Sequence, residues 1–233
     1  MYKFNFTRHI RKGLNSAKLI TVNFQVKNCF TMNYQYIYII FMIGIMFCLI
    51  KGHKEILFDF TTVENVDNWK EISDTVRTVG KSKAVLALQT TQVFQYAVFF
   101  TLLNPQLNGA GFAGIRTITN LNLSNFKNVE INCRGQGNNI YYKVVLRHKG
   151  LHSNKDITYE QFFTAPMSNI DFSTVILPLK NFKPYYRGRE VLDVEPLDTA
   201  NITMFGLQMY GGVYLPIKQN GVSALEVINI SAS

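Results

Sequence analysis

From Glu55 onward, apolar and polar residues alternate with a period of two, in runs rich in Val, Ile, Thr, Tyr and Phe. Asn, Gly, Pro, Ser and Asp interrupt these runs about every ten residues. Alternation of this kind puts every second side chain on one face of an extended chain. The spacing predicts strands over residues 56–61, 84–89, 94–103, 112–119, 128–132, 140–147, 160–164, 173–177, 202–209 and 224–230. Helical periodicity is scarce, although Val63 to Ile72 and Leu179 to Tyr185 could each hold a turn or two. Short strands without a βαβ rhythm predict an all-β fold of two packed antiparallel sheets, a sandwich or jelly roll.

Residues 1–54 follow a different rule. They hold eight basic residues and no acidic one, whereas residues 55–233 hold sixteen basic against fifteen acidic. The formal net charge of +9 therefore resides almost entirely in the leader, and the folded part carries only +1. An uncharged apolar run spans Tyr36 to Ile50 and ends at Lys51. Fifteen residues are short for a membrane span, which needs about 20, but they suit a signal h-region or an anchor. The preceding acid-free, basic stretch has the character of a mitochondrial presequence. A second reading starts at Met32, where MNYQYIYIIFMIGIMFCLI reads as a secretory signal peptide. Sequons at Asn122, Asn201 and Asn229 are compatible with that secreted or membrane-anchored alternative.

At 47% hydrophobic and 17% charged, the chain is too apolar for disorder and long enough for one sizeable core. Its three cysteines exclude a disulfide scaffold, so the core stands on packing. Gly109, Gly111 and Gly114 spell a dinucleotide fingerprint, but the β-branched, alternating run Ile115 to Thr119 predicts a strand where that motif needs a helix. Gly80-Lys81-Ser82 resembles the tail of a P-loop, yet Thr75 stands where its first glycine belongs. His148 and His152 have helical metal-ligand spacing, but Gly150 and the polar run after them predict two solvated histidines on a hairpin turn. No catalytic motif, metal site or cofactor site emerges, and the acids are mostly scattered singly. Lys180, Lys183, Arg187 and Arg189 interleave with Phe182, Tyr185 and Tyr186. With so little net charge in the domain, and Glu190, Asp193 and Glu195 following at once, this cluster argues against nucleic acid as a partner. Arginine forks that fix a long loop are the expected use. Trp69 is expected to pack its ring on the sandwich edge, with ligand stacking as the functional option.

Several segments, in order, resemble one family. They begin with Ile56-Leu57-Phe58-Asp59-Phe60, Trp69, Ser73-Asp74 and Gly111-Phe112-Ala113-Gly114-Ile115-Arg116. They continue through Cys133-Arg134-Gly135-Gln136-Gly137, Tyr141-Tyr142, Tyr159, Phe162-Phe163-Thr164 and Leu177-Pro178-Leu179. Arg187-Gly188-Arg189, Leu197-Asp198, Phe205-Gly206-Leu207 and Ala224-Leu225-Glu226-Val227 complete the set. The chain is thereby similar to the complex I intermediate-associated protein 30 family over residues 55–233. Departures include Gln136 at the family's Gly-Asp-Gly turn and Phe172 at its late Trp. The resemblance implies a galactose-binding-like jelly-roll sandwich behind the leader. It implies a non-enzymatic assembly factor for mitochondrial complex I that binds protein subunits or assembly intermediates. Membrane association would come through residues 36–50. Arg187, Arg189 and Asp198 would fix the long loop, with Gly188 letting backbones approach closely and Trp69 as a further binding candidate. The alternative function is a secreted or tethered binding module, carbohydrate its expected ligand.

Overall fold

The computed structural model describes residues 53–233. The apolar segment 36–50 and the Met32 start lie outside the described residues. Among the described residues no helix is long and apolar enough to cross a membrane.

The described chain is a sandwich of two antiparallel sheets. The strands of the first are β1 (Glu55–Asp59), β3 (Lys83–Thr90), β4 (Gln95–Leu103), β6 (Asn128–Gly137), β9 (Ser173–Pro178) and β13 (Gly221–Ala232). The second contains β2 (Lys70–Glu71), β5 (Phe112–Leu121), β7 (Tyr141–His148), β8 (Thr158–Thr164), β10 (Lys183–Tyr186), β11 (Arg189–Glu190) and β12 (Ile202–Tyr210). The first sheet runs β3-β4-β13-β6-β9, with β1 also paired to β13, and the second runs β11-β10-β8-β7-β12-β5-β2.

Strict alternation builds the core. Phe99 and Leu103 of β4, Ile131 and Cys133 of β6, and Leu225 and Val227 of β13 point inward from one sheet. Tyr142, Val144 and Leu146 of β7 and Phe205 and Leu207 of β12 meet them from the other. Apolar burial of this kind contributes about 25 cal/mol per Å² removed from water, without any crosslink. Burial also pushes the Cys133 thiol pKa up to about 12, so it packs as a small hydrophobe. The long C-terminal strand serves two partners on one edge. A register shift between Val227 and Asn229 divides its pairing with β6, and the freed Ile228 carbonyl accepts the Phe60 amide at 3.0 Å.

All ten strands read from alternation are present, and three short ones went unread. Of these, β10 lies where a helical turn was expected. Between Leu179 and Tyr185 only Leu179–Asn181 coils, as a 3₁₀ turn, because Pro184 has no amide to donate and biases Lys183 toward extended backbone. The segment 63–72 holds no helix either. It carries a single turn, closed by the Trp69 amide on the Val66 carbonyl at 2.9 Å, and then β2.

His148 departs from its expected place on a solvated turn. It ends β7, is 1% exposed, and accepts the Asp198 amide on Nδ1 at 2.7 Å. Its proton therefore sits on Nε2, 3.5 Å from Glu195 Oε1, and its ring lies 4.7 Å from that of Tyr159. His152 stays in the loop, its Nδ1 2.7 Å from the Gly150 carbonyl.

Candidate functional site

The outward side chains of the second sheet form the floor of a cleft of about 1260 Å³. Its walls come from opposite edges of that sheet. Ile72, Val76 and Arg77 flank the β2 edge, and the β10–β11 hairpin rises at the other. The β2-side wall follows from a local network. Asp74 is buried and accepts both the Ser82 amide at 2.9 Å and the Ser82 hydroxyl at 2.7 Å, while Ser82 Oγ accepts the Asn104 amide at 3.0 Å. These bonds close the loop that presents Val76 and Arg77.

On the floor, β7 contributes Lys143 and Arg147, β8 contributes Glu160 and Phe162, and β12 contributes Gln208 and Tyr210. Lys143 Nζ meets Glu160 Oε2 at 2.6 Å, with side-chain exposures of only 8% and 5%. The second Glu160 oxygen accepts the Thr158 hydroxyl at 2.8 Å. Beside this pair the Phe162 ring takes edge contacts from Tyr185 at 5.6 Å and Tyr210 at 5.1 Å. Burial pushes the Tyr210 phenol pKa up to about 12, so it is neutral here.

The lining is cationic. Arg77, Lys143, Arg147, Lys155, Arg187 and Arg189 face Asp156, Glu160 and Glu190. Every one of those acids is already engaged. Asp156 accepts the His152 and Ser153 amides at 3.1 and 2.7 Å, and Glu190 pairs with Lys183 at 2.9 Å. Of the cations, Lys143 alone has an ion-pair partner among the described residues. Among these residues no cluster of His, Cys, Asp and Glu is arranged as metal ligands.

Of the five residues singled out from the sequence, Arg187, Gly188 and Arg189 line the cleft, and Asp198 and Trp69 do not. Arg187 and Arg189 do not act as forks that pin a loop. Their guanidinium carbons lie over aromatic rings instead, Arg187 on Tyr186 at 5.2 Å and Arg189 on Tyr214 at 4.9 Å. The second contact joins the hairpin to the 211–215 loop. Gly188 is required by its backbone and not by crowding. Arg187 and Gly188 have φ of 52° and 81°, as a two-residue hairpin turn with both central dihedrals positive demands. An added Cβ at Gly188 would meet nothing nearer than Tyr214 Cε2 at 3.8 Å. Asp198 fixes its own turn, accepting the Ala200 amide at 3.1 Å and the Asn201 side-chain amide at 3.0 Å. Trp69 lies against the core, 5.1 Å from Phe58, 5.9 Å from Phe60 and 6.2 Å from Phe205.

Lys143, Arg147 and Glu160 went unnoticed in the sequence. The readable signal was two basic residues four apart on one face of β7, a strand otherwise almost wholly apolar. A buried sheet face has no reason to carry them unless they serve the outer surface.

The architecture has solved counterparts. The family 11 carbohydrate-binding module from Clostridium thermocellum, in complex with a β-1,3-1,4-mixed-linked tetrasaccharide, superposes with a TM-score of 0.57 at 16% identity. The match covers 77% of this chain and 94% of that one. The same module of the cellulosomal cellulase Lic26A-Cel5E superposes at 0.55, again at 16% identity and with the same coverage. These likenesses establish the jelly-roll fold. An uncharacterised protein of Schizosaccharomyces pombe is 32% identical over 121 residues, 47% of this chain. The chain thus matches about half the length, 52%, of that curated relative. The model of complex I intermediate-associated protein 30 matches residues 58–227, a span that includes every strand bearing the cleft. On that match the chain belongs to the complex I intermediate-associated protein 30 (CIA30) family.

Proposed function

We propose that this protein is a non-catalytic assembly factor of mitochondrial respiratory complex I that holds a protein partner in the cleft of the second sheet. Family membership supports the pathway. The cleft supports holding over catalysis. Each of its three carboxylates takes part in an internal hydrogen bond or ion pair, while most of its cations have no ion-pair partner among the described residues. Deleting the gene and resolving respiratory complexes on native gels tests this reading. Complex I falls while its subassemblies accumulate, and the full chain restores it and co-purifies with a subassembly. Normal complex I in the deletion strain overturns the proposal.

A second reading is a secreted or tethered carbohydrate-binding module, favoured by the likeness to the family 11 module. Saturable binding of mixed-linked β-glucan fragments by the full chain would favour it. Against it, a guanidinium takes one face of each rim tyrosine, Tyr186 and Tyr214, which reduces the aromatic surface open to sugar stacking.

A further inference from the structure

Arg147 is the unexplained residue of the cleft. It points outward from the middle of the second sheet, lines the cleft floor and is 6% exposed. Its Nε is buried without a hydrogen-bond partner, and it makes no ion pair among the described residues. Arginine carries five N–H donors and no acceptor, and a buried charge without a partner is strongly unfavourable. The neighbouring groups do not relieve it. Arg116 adds like charge, and its own Nη1 is committed to the His152 carbonyl and the Asn154 side chain, both at 2.9 Å. Asp156 and Glu160 attract Arg147 without forming an ion pair with it: Glu160 spends both oxygens on Lys143 and Thr158, and Asp156 is held by its Oδ2 to the His152 and Ser153 amides. A void of about 20 Å³ beside Arg147 has room for a single water, too little for a guanidinium fork. Desolvation pulls the Arg147 pKa down to about 10, yet it stays charged at neutral pH.

A preformed, largely buried guanidinium whose Nε–H has no partner is complementary to a planar anion that accepts from two of its N–H groups at once. We propose that Arg147 is the anchor of the cleft and that it receives a side-chain carboxylate from an acidic segment of the partner protein. Arg77, Lys155, Arg187 and Arg189 surround it with unpaired positive charge that would run along the same acidic segment. The inference rests on the partner-holding reading given above and names the chemistry of the partner.

The test is direct binding by the full chain of a fluorescent deca-glutamate peptide at low ionic strength, with deca-glutamine and oligogalacturonate as comparators. Wild type binds deca-glutamate and not deca-glutamine. Arg147→Met weakens binding by roughly 30-fold or more, as expected when one side of a buried charge pair is removed. Arg147→Lys keeps the charge, loses the fork and weakens binding roughly tenfold. Without peptide, Arg147→Met melts at or above the wild-type temperature, because it deletes an unpaired buried charge. Wild-type affinity in the folded Arg147→Lys protein overturns the proposal. So does Arg147-dependent capture of oligogalacturonate without capture of deca-glutamate, which would make the occupant a uronic glycan. Loss of peptide binding in Arg147→Met with complex I assembly intact in cells would leave the carboxylate site standing and remove the assembly role. The converse would retain the assembly role and remove the site.

Discussion

The two outer faces of the sandwich violate alternation in opposite senses. On the first sheet, Val85 pairs with Phe100 and Leu102 with Val222, and all four outward side chains are 44 to 67% exposed. On the second sheet the outward positions hold Lys143, Arg147 and Glu160, each at most 7% exposed. Apolar groups face water where polar ones are expected, and charges are buried where the walls of a cleft enclose them. The first face is tolerable because a small exposed apolar patch costs little. The second is costly, because ions taken from water must be paired or must await a partner. The buried charged face is therefore the one that needs a functional explanation.

The most disruptive way to probe the contrast is to split the Lys143–Glu160 pair. Lys143→Met leaves Glu160 on the cleft floor with only the Thr158 hydroxyl. A loss of about 3 kcal/mol is expected at neutral pH, read from chemical denaturation. The double change Lys143→Met with Glu160→Leu should regain most of it, since a well-packed apolar pair often equals a buried ion pair. A double variant as unstable as the single one would mean that these residues hold the sheet together through something other than their charges.

Much of the framework was legible in the residues, and little of the cleft was. Alternation located β3, β4, β7 and β12 because a half-buried strand must repeat every two residues. It could not find β2 or β11, two residues each, which exist through tertiary pairing alone. Arg187-Gly188-Arg189 is legible as a motif, but the kind of contact its arginines make is not. Hydrogen-bonded forks are the expectation, whereas the hairpin dihedrals and the Tyr186 and Tyr214 rings decide where the guanidiniums go, so the link from Arg189 to the 211–215 loop is a cation–π contact. His148 was misplaced for a related reason. Gly150 and the polar run beyond it announce a turn, but the turn begins one residue after the histidine. Arg147 on β7 and Glu160 on β8 reach one cleft floor only through the pairing of those two strands, so no local spacing could join them.

Titration separates the faces by a smaller effect. His148 closes β7 from the inner side, and burial holds its pKa below the usual 6.5 even though Glu195 and Asp198 pull upward. A base with a lowered folded pKa stays neutral while the unfolded chain takes up a proton. Its contribution is thus complete above about pH 6.5 and is lost as the pH falls toward the folded value. The lowered pKa values of Glu130, Glu195 and Asp198 act the same way, but only below their own ordinary values of 4.5, 4.5 and 3.8. Melting temperatures between pH 7.5 and about 5 should therefore decline. His148→Asn keeps an acceptor for the Asp198 amide and should flatten that decline. An unchanged slope in the variant would assign it to other groups.

The exposed apolar face should respond least of all. Phe100→Thr removes a ring that is 44% exposed and keeps a residue suited to a pleated surface. The ring's cross-strand contact with Val85 is worth roughly 0.2 to 1 kcal/mol, so stability should change by less than about 1 kcal/mol. Solubility at high concentration should rise, because the substitution interrupts the exposed Val85, Phe100, Leu102 and Val222 patch. A loss above about 2 kcal/mol would carry the signature of core truncation and not of surface exchange. It would mean that this face is covered in the full chain, and the two faces would then differ in what covers them and not in whether they are covered.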